Sequence, residues 1–204
     1  MIYVIDTGPW REDDVREQCA AHGIEFSGGF FFERTCTWLA SLLVKKHIAA
    51  EAGVPFELQV TDRGKPRIPG VEFSITHHNR IVVAVSAAHP VGIDLTDKET
   101  PFTPGQQREL WVVKPNTCPS GVFWAAREAY LKYTGEGSRE GPLEMKPPSH
   151  LALPDLEHWQ WSVMPVMKVE SVLARCFKVR GFVGVVVSRI EDVQEVSLFS
   201  SEPV

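Results

Sequence analysis

Three apolar, β-branched runs follow one another closely: EFSIT (72–76), RIVVAVS (80–86) and VGIDL (91–95). Parallel neighbours need a crossover of roughly a dozen residues or more, so strands this close together read as antiparallel. A sheet of that kind needs helices on one face, and the flanking sequence supplies them. IYVID (2–6) predicts an opening strand. GPWREDDVREQCAAHG (8–23) predicts a polar helix with Pro near its start and Gly23 at its end. FFFERTCTWLASLLVKKHIAAEAG (30–53) predicts a longer helix, apolar on one side, and ELQV (57–60) a further strand.

A second half repeats the rhythm. TPGQQRELW (103–111) and SGVFWAAREAYLKYTG (120–135) predict helices, and 135–150 is a loop rich in Gly and Pro. HWQWSV, VLARCFKV, FVGVVVS and EVSLF then predict strands. The fold class is therefore α+β, with two similar subdomains, each of helices packed on a small, mostly antiparallel sheet. They span 1–88 and 89–204 and join near AAHPVGID (87–94). At 204 residues and 44% hydrophobic, the chain suits one large domain or two small ones.

The net charge of −5 argues against a nucleic-acid surface. No stretch reaches the ~18 uncharged apolar residues of a membrane span, and the start has no signal-peptide pattern. Cys19, Cys36, Cys118 and Cys176 have no CxxC spacing and read as reduced thiols. The expectation is a cytoplasmic monomer with no membrane or nucleic-acid partner. Positive charge is local, at 45–46, at DRGKPR (62–67), at Arg127 with Lys132, and at 175–180. Most such clusters are solvated faces, but Gly64 and Pro66 also fix the backbone around Lys65.

In VGIDLT, alternation puts Val91, Ile93 and Leu95 on one face and Gly92, Asp94 and Thr96 on the other. Gly92 leaves room for something to approach beside Asp94. A strand-end Asp capping a turn is the competing reading. In WAAREAYLK (124–132), Trp124, Glu128 and Lys132 share one helix face. An ordinary surface Glu–Lys pair is the bland explanation of the last two, and core packing that of Trp124. If strand and helix meet, Asp94 and Glu128 converge. Two carboxylates ringed by Lys65, Arg127 and Lys132 suit a magnesium-bound pyrophosphate, because Mg²⁺ is usually held by one or two carboxylates, waters and phosphate oxygens.

VGIDL followed about thirty residues later by FWAAREAYLK resembles the signature pair of the Sfp-type 4′-phosphopantetheinyl transferases. RGKPRI (63–68) resembles that family's GKP element. FSITHHNRIVVAVS (73–86) resembles its N-x-S-H strand, with Thr76-His77 where Ser-His is usual, and Arg34 resembles the family's arginine near the adenine end.

The resemblance implies a pseudo-twofold fold with one active site in the cleft between the subdomains. It also implies Mg²⁺-dependent transfer of 4′-phosphopantetheine from coenzyme A to a serine of an apo acyl, aryl or peptidyl carrier protein. By the same resemblance, Asp94, Glu128 and Thr96 would surround the metal and Glu128 would help deprotonate the serine. Lys132 would stabilise the leaving adenosine 3′,5′-bisphosphate. Lys65, Pro66, Thr76, His77, Arg34 and Lys132 would contact coenzyme A. The first subdomain would carry the coenzyme A adenine and phosphates, the second the metal and catalytic residues.

Two departures matter. Thr96 stands where a third acidic ligand is common, and Arg127 where lysine is common, a planar fork in place of a compact ammonium. Thr96 keeps open a transferase-like protein, weak or inactive, that binds coenzyme A or carrier without turnover. A nucleotide hydrolase using the same carboxylates has no motif to support it. His77, His78 and His89 lack a second set of transition-metal ligands, and no GxSxG, GxxxxGK(S/T) or GxGxxG element is present. Trp159 and Trp161 alternate on an expected strand and read as core.

Overall fold

The computed structural model describes residues 1–99, 120–135, 162–165 and 172–189. The chain opens with strand β1 (Ile2–Asp6) and helix α1 (Glu12–Ala21). Glu12, Asp13 and Asp14 fill the first turn of α1, where negative charge complements the helix dipole. A short 3₁₀ turn (Gly29–Phe31) leads into α2 (Phe32–Glu51), whose exit is made at Gly53 with φ of 67°. A small hairpin follows, β2 (Gln59–Val60) and β3 (Pro66–Arg67), with Gly64 at its turn at φ of 83°. Then come β4 (Glu72–His78), β5 (Ile81–Ala87) and β6 (Gly92–Asp97), helix α3 (Ser120–Thr134), and strands β7 (Ser162–Pro165), β8 (Val172–Val179) and β9 (Phe182–Arg189).

Among the described residues, two larger antiparallel sheets form besides the β2–β3 pair. The first has strand order β1-β5-β4 and the second β6-β9-β8-β7. Side-chain alternation sorts the core into three layers. Tyr3, Ile5, Phe73, Val82 and Ala84 face α1 and α2, where Val15, Leu39, Val44 and Ile48 meet them. The opposite residues, Ile2, Ile81, Val83 and Val85, pack against Val91, Ile93, Leu95, Phe177 and Val186 of the second sheet. That sheet's far face, including Val172, Ala174, Val183, Val185 and Val187, is covered by Val122, Phe123, Ala125, Ala126 and Ala129 of α3. The order through the molecule is helices, sheet, sheet, helix.

The α+β layering and the antiparallel pairing match the sequence expectation. ELQV is an exception: only Gln59 and Val60 form a strand, both exposed, and they pair with a β3 that the sequence pattern did not signal. Pro66 explains the omission, since proline demotes a strand in any propensity reading and is tolerated at a sheet edge. The expected helix at 103–111, the loop at 136–150, Trp159, Trp161, Cys118 and the strand EVSLF lie outside the described residues. Cys19, Cys36 and Cys176 are buried. Among the described residues, no helix is long and apolar enough to cross a membrane.

Candidate functional site

The two sheets meet where β4 runs beside β6, and alternate residues of β4 make the join. Ser74 Oγ accepts a hydrogen bond from the Ile93 backbone N–H (3.1 Å), Thr76 Oγ1 donates to Asp94 Oδ1 (3.0 Å), and His78 Nε2 donates to Asp97 Oδ2 (3.2 Å). The period of two puts Ser74, Thr76 and His78 on the side of β4 that faces β6.

Asp94 points to the opposite side of its sheet from Ile93 and Leu95, toward α3. It lies mid-strand, bonded across elements, so the turn-capping alternative does not hold. Its Oδ1 takes the Lys132 ammonium at 2.7 Å, and the same ammonium donates to the Ile93 carbonyl at 3.0 Å. From the β2–β3 hairpin, Lys65 Nζ donates to the Lys132 backbone carbonyl at 2.7 Å. A cavity of about 220 Å³ opens here, with Lys65, Pro66, Ser74, Glu128, Lys132 and Gly135 among its lining.

Helical spacing places Trp124, Glu128 and Lys132 on one half-buried face of α3, as the sequence predicts. What each does differs in part from expectation. Trp124 is not core. It is half-buried, with the Arg127 guanidinium 5.6 Å over its ring. Arg127 is only 3% exposed and binds Glu128 Oε1 at 2.7 Å, so it braces the carboxylate from inside the fold and is not a solvent-facing cation. Gly92 makes room for the protein itself: a Cβ there would lie 1.8 Å from the Ala129 carbonyl oxygen and 2.6 Å from the Tyr133 nitrogen. The glycine admits the α3 backbone to the strand and leaves no berth for a ligand.

The charges act on one another. Burial, then the charge of Asp94, raise the Glu128 carboxyl above the ordinary glutamate range, with Arg127 and Lys132 pulling the other way. Burial, with the positive Lys132 and then His78, lowers His77, while Asp94 opposes the shift. Burial also lowers Lys65, opposed by Glu72. Thr96 is buried on the same face of β6 as Asp94, two residues along, opposite Val183 where Asp94 is opposite Val185. Arg34 stands apart from this cluster on the exposed side of α2, its guanidinium 4.6 Å over the Trp38 ring.

No family model matches the chain. It does match two characterised proteins over part of its length. It is 29% identical over 100 residues to a 4′-phosphopantetheinyl transferase of Bacillus subtilis, covering 42% of this chain and 43% of that protein. It is 28% identical over 113 residues to the 4′-phosphopantetheinyl transferase gsp of Aneurinibacillus migulanus, covering 48% of each. The chain is similar to 4′-phosphopantetheinyl transferases. The matched stretch spans under half the length of either relative.

Whether such a site fits a magnesium ion turns on its donor set. Among the described residues, no group of three or more His, Cys, Asp and Glu is placed to hold a metal. The site offers two carboxylates, with Lys132 and Thr76 both on Asp94 Oδ1 and Arg127 on Glu128 Oε1. That is too little for an all-protein cage. It does suit Mg²⁺, which takes one or two carboxylates and completes its shell with water and phosphate oxygens.

Ser74 was not singled out from sequence, and Arg127 was expected beside the carboxylates but not as a buried side chain. Ser74 could have been found, because it precedes Thr76 by two on the same strand face. Arg127 could not, because its spacing suits a solvent-facing cation equally well.

Proposed function

We propose that the chain transfers 4′-phosphopantetheine from coenzyme A to a serine hydroxyl of an apo acyl, aryl or peptidyl carrier protein, as an Sfp-type enzyme. The observation that carries this reading is the Asp94–Lys132 ion pair, with Glu128 one turn back on the same helix face, beside a cavity walled by Lys65 and Pro66. Phosphoryl transfer is largely positioning and charge neutralisation, which such a group supplies. In this proposal, residues 1–88 carry the coenzyme A side and residues 89–204 the reactive groups.

The serine oxygen forms a bond to the phosphorus that carries the pantetheine, and the bridging P–O bond to adenosine 3′,5′-bisphosphate breaks. Glu128 takes the serine proton, directly or through a water. Its raised affinity for protons suits it to that task better than an ordinary surface glutamate. Lys132 lends positive charge to the departing phosphate, and Lys65 and His77 hold coenzyme A phosphates. Asp94 and Glu128 would hold Mg²⁺, with Thr96 beside them able to hold a metal-bound water; the ion would neutralise the pyrophosphate. Incubating apo carrier protein, coenzyme A and Mg²⁺ with the protein and weighing the carrier tests the reading. A gain of one phosphopantetheine is expected.

Two observations favour a second reading, a binder of coenzyme A or carrier with little turnover. Thr96 supplies no third negative charge, and Lys132 already occupies Asp94. Under that reading, coenzyme A or carrier binds measurably and the carrier gains no mass.

Lys65→Ala or His77→Ala should each weaken coenzyme A binding roughly tenfold to a hundredfold, from the loss of a charge-assisted contact. Carrier binding should stay the same, and isothermal titration with each ligand makes the comparison. Equal losses for both ligands would put the phosphates elsewhere.

His77 adds a pH dependence. Its proton affinity is lowered in the free protein, and a bound phosphate would raise it. Coenzyme A binding should therefore tighten as pH falls through the range below the ordinary histidine value, with proton uptake, and His77→Ala should flatten that slope. The sign for stability is opposite. A histidine lowered by folding contributes stability that is present above its unfolded value and lost as pH falls through its folded one.

A further inference from the structure

The oxygens of Asp94 are not equivalent. Oδ1 receives both the Lys132 ammonium at 2.7 Å and the Thr76 hydroxyl at 3.0 Å, while no described residue donates to Oδ2. A threonine hydroxyl has one proton to give. Thr76 is 7% exposed and gives that proton to Asp94, so it has none for a phosphate oxygen. Ser74, two residues earlier on the same face, accepts from the Ile93 N–H and fixes the register that brings Thr76 to Asp94. Thr76 comes from the first sheet, whereas Asp94 and Lys132 come from the second sheet and its helix.

We infer that Thr76 is a positioning residue. Its hydroxyl, with Lys132, saturates Asp94 Oδ1, fixes the carboxylate plane and makes Oδ2 the oxygen available to a metal ion. This departs from the sequence reading of Thr76 as a coenzyme A contact. Its catalytic consequence rests on the proposed transferase activity, but the pairing itself does not.

The experiment uses the full chain with Thr76→Val, which removes the proton and keeps the shape, and Thr76→Ser, which keeps the proton. Thr76→Ala serves if valine is not accommodated. Coenzyme A affinity, titrated calorimetrically with a chelator present, should change less than about twofold in every variant. Mn²⁺ affinity of the coenzyme A-loaded protein should fall roughly tenfold in Thr76→Val, and Thr76→Ser should restore it, the size expected when a group orienting a metal ligand is lost. The kcat should fall with the metal affinity, while KM for coenzyme A holds. Coenzyme A binding weakened in chelator, with Mn²⁺ affinity unchanged, would overturn the inference and make Thr76 a phosphate contact.

A ligand-free arm separates the two claims. A double-mutant cycle of Thr76→Val with Asp94→Ala should show the unfolding constants coupled by roughly fivefold. Coupling in a protein that binds no coenzyme A sinks the transferase reading and leaves the pairing standing. Strict additivity sinks the pairing whether or not coenzyme A binds.

Discussion

Gly92→Ala is expected to abolish turnover and to destabilise the protein more than any change in the charged groups. The new methyl would sit 1.8 Å from the Ala129 carbonyl oxygen and 2.6 Å from the Tyr133 nitrogen. Both are helix backbone, which cannot rotate aside as a flexible side chain could. Either α3 lifts from β6 or the strand bends. Either movement parts Lys132 from Asp94, since the 2.7 Å contact spans that interface. Overpacking of this kind costs typically 1–3 kcal/mol and sometimes more, and with no room to relax we expect roughly 3 kcal/mol. For a chain of this size that is a fall of about 6–12 °C in Tm. Thermal unfolding and the carrier mass assay check the two effects together. A variant with native Tm and full activity would mean that helix and strand are farther apart than described.

Asp94→Asn separates chemistry from folding. The amide is nearly isosteric and can still accept from Thr76, so the fold should survive with a loss of about 1–3 kcal/mol. The charge is gone, however. Lys132 keeps the Ile93 carbonyl and a neutral amide oxygen in place of an anion, and one of two proposed metal carboxylates is neutral. We expect kcat to fall roughly 10²–10³-fold, the scale seen when one aligned electrostatic group is removed from an active site. Asp97 makes a fair control because it is exposed and pairs with His78. A surface pair is worth ~1 kcal/mol at most, so Asp97→Asn should lower the rate by less than about fivefold. Equal effects from the two substitutions would mean that the strand presents the other carboxylate to the reaction.

Much of this arrangement could be read from local pattern. Strand alternation put Asp94 opposite Ile93 and Leu95, and helical spacing put Glu128 and Lys132 together, because both periods are properties of the backbone alone. The basic hairpin around Lys65 was also visible, since its glycine and proline mark a turn. Trp124 was misread as core and Arg127 as solvent-facing for a shared reason. Period gives the face on which a side chain lies but not what covers that face. An aromatic ring and a long cation at three-residue spacing can exchange their expected places, and here they stack.

The amino-acid order by itself determined the short antiparallel strands, the amphipathic helices and the acidic and basic residues that each element presents. Only the tertiary structure decided which oxygen of Asp94 is engaged, that Gly92 serves helix packing, and that Lys65 reaches the Lys132 carbonyl. These contacts join residues tens of positions apart on different elements. Their geometry depends on how closely two packed surfaces approach, to within fractions of an ångström, and no local period of the chain encodes that distance.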